Sequence, residues 1–393
     1  MRSDPLAYLS TELASLKEQG LYRRLRILDD EQKAHTSFDG RSVVNLSSNN
    51  YHGLTTHPWL RERALEATRR LGVGSGSVRT IAGTLDIHME LERRLAEFKQ
   101  TEAVVVFQSG FAANAGTVAA ILGRDDVIVS DELNHASIID GARLSRAEIK
   151  VFPHRDAAAA RKILQDLPSE RRKLLITDGV FSMDGDLGAL PELCGLAEEF
   201  GCIMMVDDAH ASGVFGANGR GTIDHFGLHG RVDIQVGTLS KAIGALGGYV
   251  AGSRALIEFL YHRARPFLFS TSHPPAVTAA CIAAIDVLLE EPELIDRLWQ
   301  NTAFFKAGLK QLGFNTGASE SPITPVIAGD GALAMKLSDR LFEEGVFAQG
   351  IAFPTVPRGR ARVRTIVTAT HTRDDLQFAL DAFARVGREL GII

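Results

Sequence analysis

Seven short, almost unbroken apolar runs constrain this chain more than any other feature. They are AVVVF (103–107), VIVS (127–130), IKVF (149–152), KLLITDG (173–179), CIMMVDD (202–208), DIQVGT (233–238) and GGYVAG (247–252). Continuous apolar strands of this kind are buried on both faces. The stretches between them carry helical periodicity. Strand–helix alternation predicts an α/β architecture, a mainly parallel seven-stranded sheet with helices on each side.

The flanking segments read differently. Leu6, Leu9, Leu13 and Leu16 recur at helical spacing and predict a docking helix near residues 4–19. FDGRSVVNLSSNNYHGL (38–54) reads as a small hairpin leading into an Asn-rich turn. A long helical stretch, 274–312, leads to a smaller C-terminal α+β domain holding TPVIAG, VFAQGI and ARVRTIVTA. The expected division is an N-terminal arm (1–45), a large α/β domain (46–285) and a small domain (286–393), packed tightly because no low-complexity linker separates them.

Bulk properties narrow the class. With 393 residues, 45% of them hydrophobic, the chain has material for a large core, and a net charge of -5 without a basic run argues against nucleic acid as a partner. No apolar run approaches the length of a membrane-spanning helix. The N-terminus carries acids and does not read as a signal peptide. Cys194, Cys202 and Cys281 form no C-x-x-C pair and read as reduced thiols of a cytoplasmic protein.

Ligands of open α/β sheets sit beyond the carboxyl ends of the strands, so the residues following each run are the candidates. After AVVVF comes Gln108-Ser109-Gly110-Phe111-Ala112-Ala113-Asn114, either an ordinary turn or a helix start whose free amides suit a phosphate. The chain has no P-loop, no full G-x-G-x-x-G, and Ser109 lacks the flanks of a nucleophile elbow. His135 follows VIVS and would either lie flat on an aromatic ligand or serve as a hydrogen-bonded structural residue. Ser182 follows KLLITDG, in a turn where serine is common. Asp207 closes CIMMV three residues before His210, and an acid there is costly unless something cationic meets it. A metal would need further ligands, with only His225 and His229 suggestively placed. Thr238, Ser240 and Lys241 follow DIQVG. One cofactor uses all of these: pyridoxal 5'-phosphate needs a lysine for its Schiff base, an acid at its ring nitrogen and a phosphate cup. The 34 residues from Asp207 to Lys241 make one strand–helix–strand step, which sets acid and lysine on opposite sides of one ring.

TDGVFSMDGD, MVDDAHASGVFG, GRG, GTLSKAIGALGGYVAG, RPFLFSTSHPPAV and FPTVPRGRARVRTIVTATHT together resemble the α-oxoamine synthases, pyridoxal-phosphate enzymes of the aspartate-aminotransferase fold type I. The resemblance runs from LSSNNYHGL to the last helix. It implies a Schiff base on Lys241, which also transfers protons; Asp207 at the ring nitrogen; His210 at the phenolic oxygen; and His135 on the ring face. It implies phosphate contacts from Gly110, Phe111, Thr238 and Ser240, with Thr271 and Ser272 reaching the phosphate from a neighbouring subunit, hence a homodimer with shared active sites. Ser182 and Asn49 would help place the substrate, Arg364 would hold the amino-acid carboxylate, Thr355 would line the acyl side, and Arg23 matches a substrate-side arginine. Arg362 is expected on the opposite side of its strand from Arg364, leaving one arginine for substrate. Asp208 is expected to cap or pair locally.

The resemblance implies condensation of an amino acid with an acyl-CoA. Glycine with acetyl-CoA, the glycine C-acetyltransferase reaction of threonine breakdown, is the first expectation, because GSVRTIAGT (76–84) and FSMDGD look more like the glycine enzymes. The alternative is alanine with a pimeloyl thioester, the decarboxylating 8-amino-7-oxononanoate synthase reaction of biotin synthesis, or both. An aminotransferase of the same fold, and a non-catalytic interaction subunit that would have lost the lysine, are the competing classes.

Overall fold

The computed structural model describes residues 4–19, 22 and 24–393. The seven apolar runs are seven strands of one sheet. Numbered after an N-terminal hairpin, β1 (His35–Phe38) and β2 (Arg41–Asn45), they are β3 (Ala103–Phe107), β4 (Val127–Asp131), β5 (Glu148–Phe152), β6 (Lys173–Asp178), β7 (Ile203–Asp207), β8 (Ile234–Thr238) and β9 (Gly248–Gly252). Their spatial order is β3-β9-β8-β7-β6-β4-β5, with β9 antiparallel to both its neighbours and the remaining pairs parallel. The nine residues 239–247 between β8 and β9 explain that reversal, since a parallel crossover needs a dozen residues or more.

Alternation along each strand divides the core. Val105 and Phe107 of β3, Ile128 of β4, Ile176 of β6 and Met205 of β7 share one face with Val118 of helix Gly110–Ile121 and Ile138 of helix Ala136–Ser145. On the other face Val104 and Val106 pack with helices Asp86–Lys99 and Pro275–Glu290, while Val129, Leu175 and Val206 pack with helices Ala157–Gln165 and Leu190–Phe200. One strand departs from the expectation of two buried faces: in β5 only Phe152 is buried. It is the sheet's edge strand, and Ile149 and Val151 stand exposed because no element among the described residues covers their side.

The C-terminal part builds a second, antiparallel sheet from β10 (Ile323–Gly329), β12 (Gln349–Ile351) and β13 (Ala361–Ile366), in the order β10-β13-β12. Strand β11 (Val346–Phe347) instead pairs in parallel with β2. The hairpin, turned by Asp39 and Gly40 at φ 51° and 73°, thus shares a sheet with the C-terminal part, and Val44 and Leu46 lie in one core with Phe305, Val363 and Phe383. The N-terminal helix spans Tyr8–Glu18 and buries no residue; Leu6, Leu9, Leu13 and Leu16 are all exposed. Among the described residues no helix is long and apolar enough to cross a membrane.

Candidate active site

The carboxyl ends of β3, β4, β6, β7 and β8 meet around a cavity of about 220 Å³. Nine residues singled out by the sequence line it: Gly110, Phe111, His135, Ser182, Asp207, His210, Thr238, Ser240 and Lys241. Asp178, Ser109 and Ser137 complete much of the wall.

At one end lies the start of helix Gly110–Ile121. Ser109 caps it, its hydroxyl accepting from the Ala112 amide at 3.1 Å. The amides of Gly110 and Phe111 have no intrahelical acceptor, as in any first turn. Opposite them Thr238 Oγ1 donates to the Gly247 carbonyl (2.9 Å) and lies 2.7 Å from Ser240 Oγ. Gly248 is what lets β9 pass behind this turn: a Cβ there would stand 2.4 Å from the Gly110 nitrogen and from Ser109 backbone. Amides and hydroxyls converging on one spot, with a helix terminus aimed at it, make an anion cup.

At the floor is Asp207, buried at the end of β7. Its Oδ2 accepts from Asn114 Nδ2 at 2.6 Å and its Oδ1 from the Ala209 amide at 2.9 Å. Both donors are neutral, and among the described residues no cation forms an ion pair with it. In register with it on the adjacent strand is Asp178, which accepts from the His135 amide at 2.9 Å. Burial, and then the neighbouring Asp207 charge, raise the Asp178 carboxyl well above its ordinary pKa.

Lys241 is half-buried and its amine makes no hydrogen bond among the described residues. Burial lowers its pKa to about 8, against the pull of Asp207 and Asp178 and with some help from Arg364. Burial likewise lowers His135, with Asp207 opposing and Lys241 adding. His210 falls further, because burial is joined by Lys241, Arg364 and His135. His135 Nδ1 lies 2.7 Å from Ser137 Oγ, which turns the ring at the head of its helix. His210 Nδ1 lies 2.8 Å from Tyr51 Oη.

These residues fit pyridoxal 5'-phosphate. A buried carboxylate with only neutral donors suits a protonated ring nitrogen, an amine without a partner suits the aldehyde, and the cup suits the phosphate. They do not fit a metal: His210 is bound to Tyr51, His229 pairs with Asp224 at 2.9 Å, and His225 packs edge-on against Phe215. No cluster of three ligating side chains occurs among the described residues.

Other candidates stand outside the cavity lining. Arg364 Nη1 donates to the Ser182 carbonyl at 3.1 Å. Arg362 donates to Asp184 Oδ1 (2.7 Å) and the Met183 carbonyl (2.9 Å). Both arginines therefore turn to the same loop, not to opposite sides. This follows from the two-residue period of a strand, which places i and i+2 on one face. What removes Arg362 from a ligand is its buried pairing with Asp184. Asn49 Oδ1 is buried without a hydrogen-bond partner among the described residues. Thr271 is exposed, and its carbonyl accepts from Gln108 Nε2 at 2.8 Å. The buried hydroxyl of Ser272 lies within its own chain at Ser75 Oγ (2.9 Å), the Ser77 carbonyl (3.0 Å) and the Gly83 carbonyl (2.6 Å). Thr355 lines a separate, wider cleft of about 690 Å³ with Leu16, Met335 and Arg358. Arg23 lies outside the described residues. Asp208 pairs locally as expected, with Lys99 Nζ at 3.0 Å.

Sequence reasoning missed Asp178, Asn114 and Tyr51 as members of the site. Asp178 carried a signal, being a second acid at a strand end. Asn114 and Tyr51 carried none, because their partners are 93 and 159 residues away.

A family model for class I and II aminotransferases matches residues 41–383. An 8-amino-7-oxononanoate synthase of Symbiobacterium thermophilum is 62% identical over 387 residues, covering 98% of this chain and 99% of the relative. The 8-amino-7-oxononanoate synthase 1 of Bacillus subtilis is 55% identical, covering 98% of each. Among solved structures, a serine palmitoyltransferase of S. paucimobilis with a bound PLP–myriocin aldimine superimposes with a TM-score of 0.95 at 32% identity, covering all of both chains. The names of the two sequence relatives match the 8-amino-7-oxononanoate synthase alternative and give no support to glycine C-acetyltransferase or threonine breakdown.

Proposed function

The chain belongs to the class I and II aminotransferase family, among its pyridoxal-phosphate-dependent α-oxoamine synthases, and from that premise we propose that it condenses L-alanine with a pimeloyl thioester. The products are 8-amino-7-oxononanoate, carbon dioxide and the free thiol. The observation that carries this reading is full-length identity of 62% and 55% to relatives of that name. The two segments that favoured glycine lose their weight in the structure. In GSVRTIAGT, Arg79 pairs with buried Glu92 at 2.8 Å, and the carbonyls of Ser77 and Gly83 hold Ser272. In FSMDGD, Asp184 holds Arg362. Most of these contacts are internal, while Ser182 of FSMDGD lines the cavity and accepts from Arg364 whichever amino acid binds.

Pyridoxal 5'-phosphate supplies an aldehyde that takes up an amine and a protonated ring that accepts the electron pair left at Cα. Gly110, Phe111, Thr238 and Ser240 would hold its phosphate, with Thr271 of a second copy as the expected further contact. Asp207, whose oxygens Asn114 and Ala209 fix, would keep the ring nitrogen protonated. His135, whose pKa burial lowers, would meet the ring without opposing its charge. Arg364 takes the alanine carboxylate in a two-point pair, beside Asn49. Lys241 removes the Cα proton. With a pKa of about 8, about a quarter of its amines are neutral at pH 7.5, against about a thousandth for an ordinary lysine at 10.5. The Cα–C bond then forms at the thioester carbonyl, the thiolate leaves, the carboxylate departs as carbon dioxide, and a proton returns to Cα. Three unpaired thiols, Cys194, Cys202 and Cys281, suit the cytoplasm.

The test is a matrix of glycine, alanine and serine against acetyl-, pimeloyl- and palmitoyl-CoA, scored by thiol release and product mass. Alanine with pimeloyl-CoA should dominate, with a product lighter by carbon dioxide. Dominance of glycine with acetyl-CoA would overturn the substrate choice. Transfer of the amino group to a keto acid without any thioester would overturn the reaction class.

A further inference from the structure

One charged cluster lies outside the cavity yet touches what orients the substrate. His154 follows β5 and sits between two buried carboxylates, Nδ1 at 3.1 Å from Asp131 Oδ1 and Nε2 at 2.9 Å from Asp186 Oδ2. A neutral imidazole has one N–H and cannot donate to both. Only the doubly protonated ring donates to both.

The two carboxylates belong to different parts of the site. Asp131 ends β4 and is fixed by the Leu133 amide (2.9 Å) and the Arg155 amide (2.8 Å), at the turn that delivers His135. Asp186 closes a tight loop, in which the Phe181 amide donates to the Asp186 carbonyl (3.0 Å) and the Gly185 amide to the Phe181 carbonyl (2.8 Å). The Phe181 ring meets the imidazole edge-on at 4.4 Å. The far side of this loop holds β13: Ser182 accepts from Arg364, while Met183 and Asp184 accept from Arg362.

We propose that His154 is a positioning residue, a two-ended clasp that pins the 181–186 loop to β4 and so sets where Arg364 stands to receive the amino-acid carboxylate. This rests on the reading that Arg364 takes that carboxylate. The charged groups around the clasp are few. Glu132 Oε1 accepts from the His154 amide (2.9 Å), and Arg155 Nη1 lies 3.6 Å from Asp186 and 3.3 Å from Glu320. Glu320 also accepts from the Leu187 amide at 3.1 Å and its own amide donates to the Gly185 carbonyl (3.0 Å), so the loop keeps these anchors, with the Arg362 contacts, when the clasp opens. Burial lowers the His154 pKa, but Asp131 and Asp186 outweigh it and hold it near about 9. The folded value lies above the unfolded one. The stabilisation it gives is therefore fully present below about pH 6.5, and the clasp itself is lost as pH rises through about 9.

The experiment uses holoenzyme, with glycine, alanine and serine each titrated alone and read by the cofactor's visible spectrum, without any thioester. For whichever amino acid binds, His154→Gln should raise the half-saturating concentration about tenfold near pH 7.5, the loss expected when one charge-assisted hydrogen bond is loosened. In a separate assay with pimeloyl-CoA added, turnover at saturation should stay within about twofold. The ratio of variant to wild type should fall towards one as pH passes about 9, because the wild type then loses its own clasp. Titration of Lys241 and of the amino acid is common to both proteins and cancels in that ratio. Asp186→Asn, which removes a charge and strands none, should shift the wild-type basic limb to lower pH. An unchanged ratio across pH 7.5–9.5 together with an unshifted limb in Asp186→Asn would overturn the proposal. Binding of glycine in place of alanine would revise the substrate and leave the clasp standing.

Discussion

Asp207 and Asp208 are neighbours of one chemistry with opposite duties, and replacing each by asparagine separates them. Asp208 has a fully buried side chain and sits 3.0 Å from Lys99 Nζ, which is 1% exposed. It also accepts from the Thr222 amide at 3.1 Å and from the Thr222 hydroxyl. Lys99 reaches Ser212 Oγ at 3.3 Å and the Arg220 carbonyl as well. Asp208→Asn keeps the shape and most acceptors but leaves a buried ammonium facing neutral groups only. Breaking a buried pair in this way costs about 3–5 kcal/mol. The ceiling is set by letting Lys99 shed its proton: from an ordinary value of 10.5 down to pH 7, that costs about 5 kcal/mol. With an unfolding entropy of about 2 cal/mol/K per residue, a chain of 393 residues should melt about 4–6 °C lower.

Asp207→Asn should behave in the reverse way. Its oxygens meet only the neutral Asn114 and Ala209 donors, so the fold loses little, and the midpoint should move by less than about 1 °C. Turnover should fall at least about a hundredfold, because nothing then keeps the ring nitrogen charged. Both variants are melted as cofactor-free protein, monitored by far-ultraviolet circular dichroism, so that ligand linkage does not enter. Equal midpoints for Asp208→Asn and wild type, or a loss in Asp207→Asn as large as in Asp208→Asn, would refute this division.

Two further outcomes follow from contacts at the site. Gly248→Ala places a Cβ where backbone of Ser109 and Gly110 stands at 2.4 Å, so the cup must open; cofactor affinity measured by absorbance titration should fall at least about tenfold, and unchanged affinity would contradict the assigned cup. Arg364→Lys retains charge but loses the planar fork, and the half-saturating amino-acid concentration should rise about 10- to 100-fold, whereas Arg362→Lys should lower the unfolding midpoint and leave that concentration near its wild-type value.

The sheet and the cavity wall were legible because both follow from local pattern. Apolar runs marked every strand of the large sheet, and chemistry at strand ends marked nine residues that do line one cavity. Three things escaped. The exposure of β5 depends on its place at the sheet's edge, which composition does not encode. The hairpin's pairing with β11 joins segments about 300 residues apart. The inward commitment of Ser272 depends on the loop carrying Ser75, Ser77 and Gly83, which only the folded chain brings against it. The two arginines of β13 were misplaced for a different reason: the strand period itself puts them on one face, and only tertiary pairing separates their duties.

That separation recurs, and it bears on how the site is held. Asp207 faces the cavity while Asp208, with Lys99, anchors the turn that delivers His210. Arg364, proposed to take the carboxylate, accompanies Arg362, which ties down the loop whose Ser182 carbonyl accepts from Arg364. Thr271 is exposed while Ser272 locks its segment against the chain. In each case the residue that can meet a ligand is held by a near neighbour of similar chemistry spent on the scaffold. A side chain kept free for a ligand makes few bonds of its own, so its precision has to come from the backbone beside it. A bond from one or two residues away constrains that backbone most directly, because few free torsions intervene. Substitutions at the scaffolding member should therefore damage binding indirectly and stability directly, while the ligand-facing member shows the opposite order.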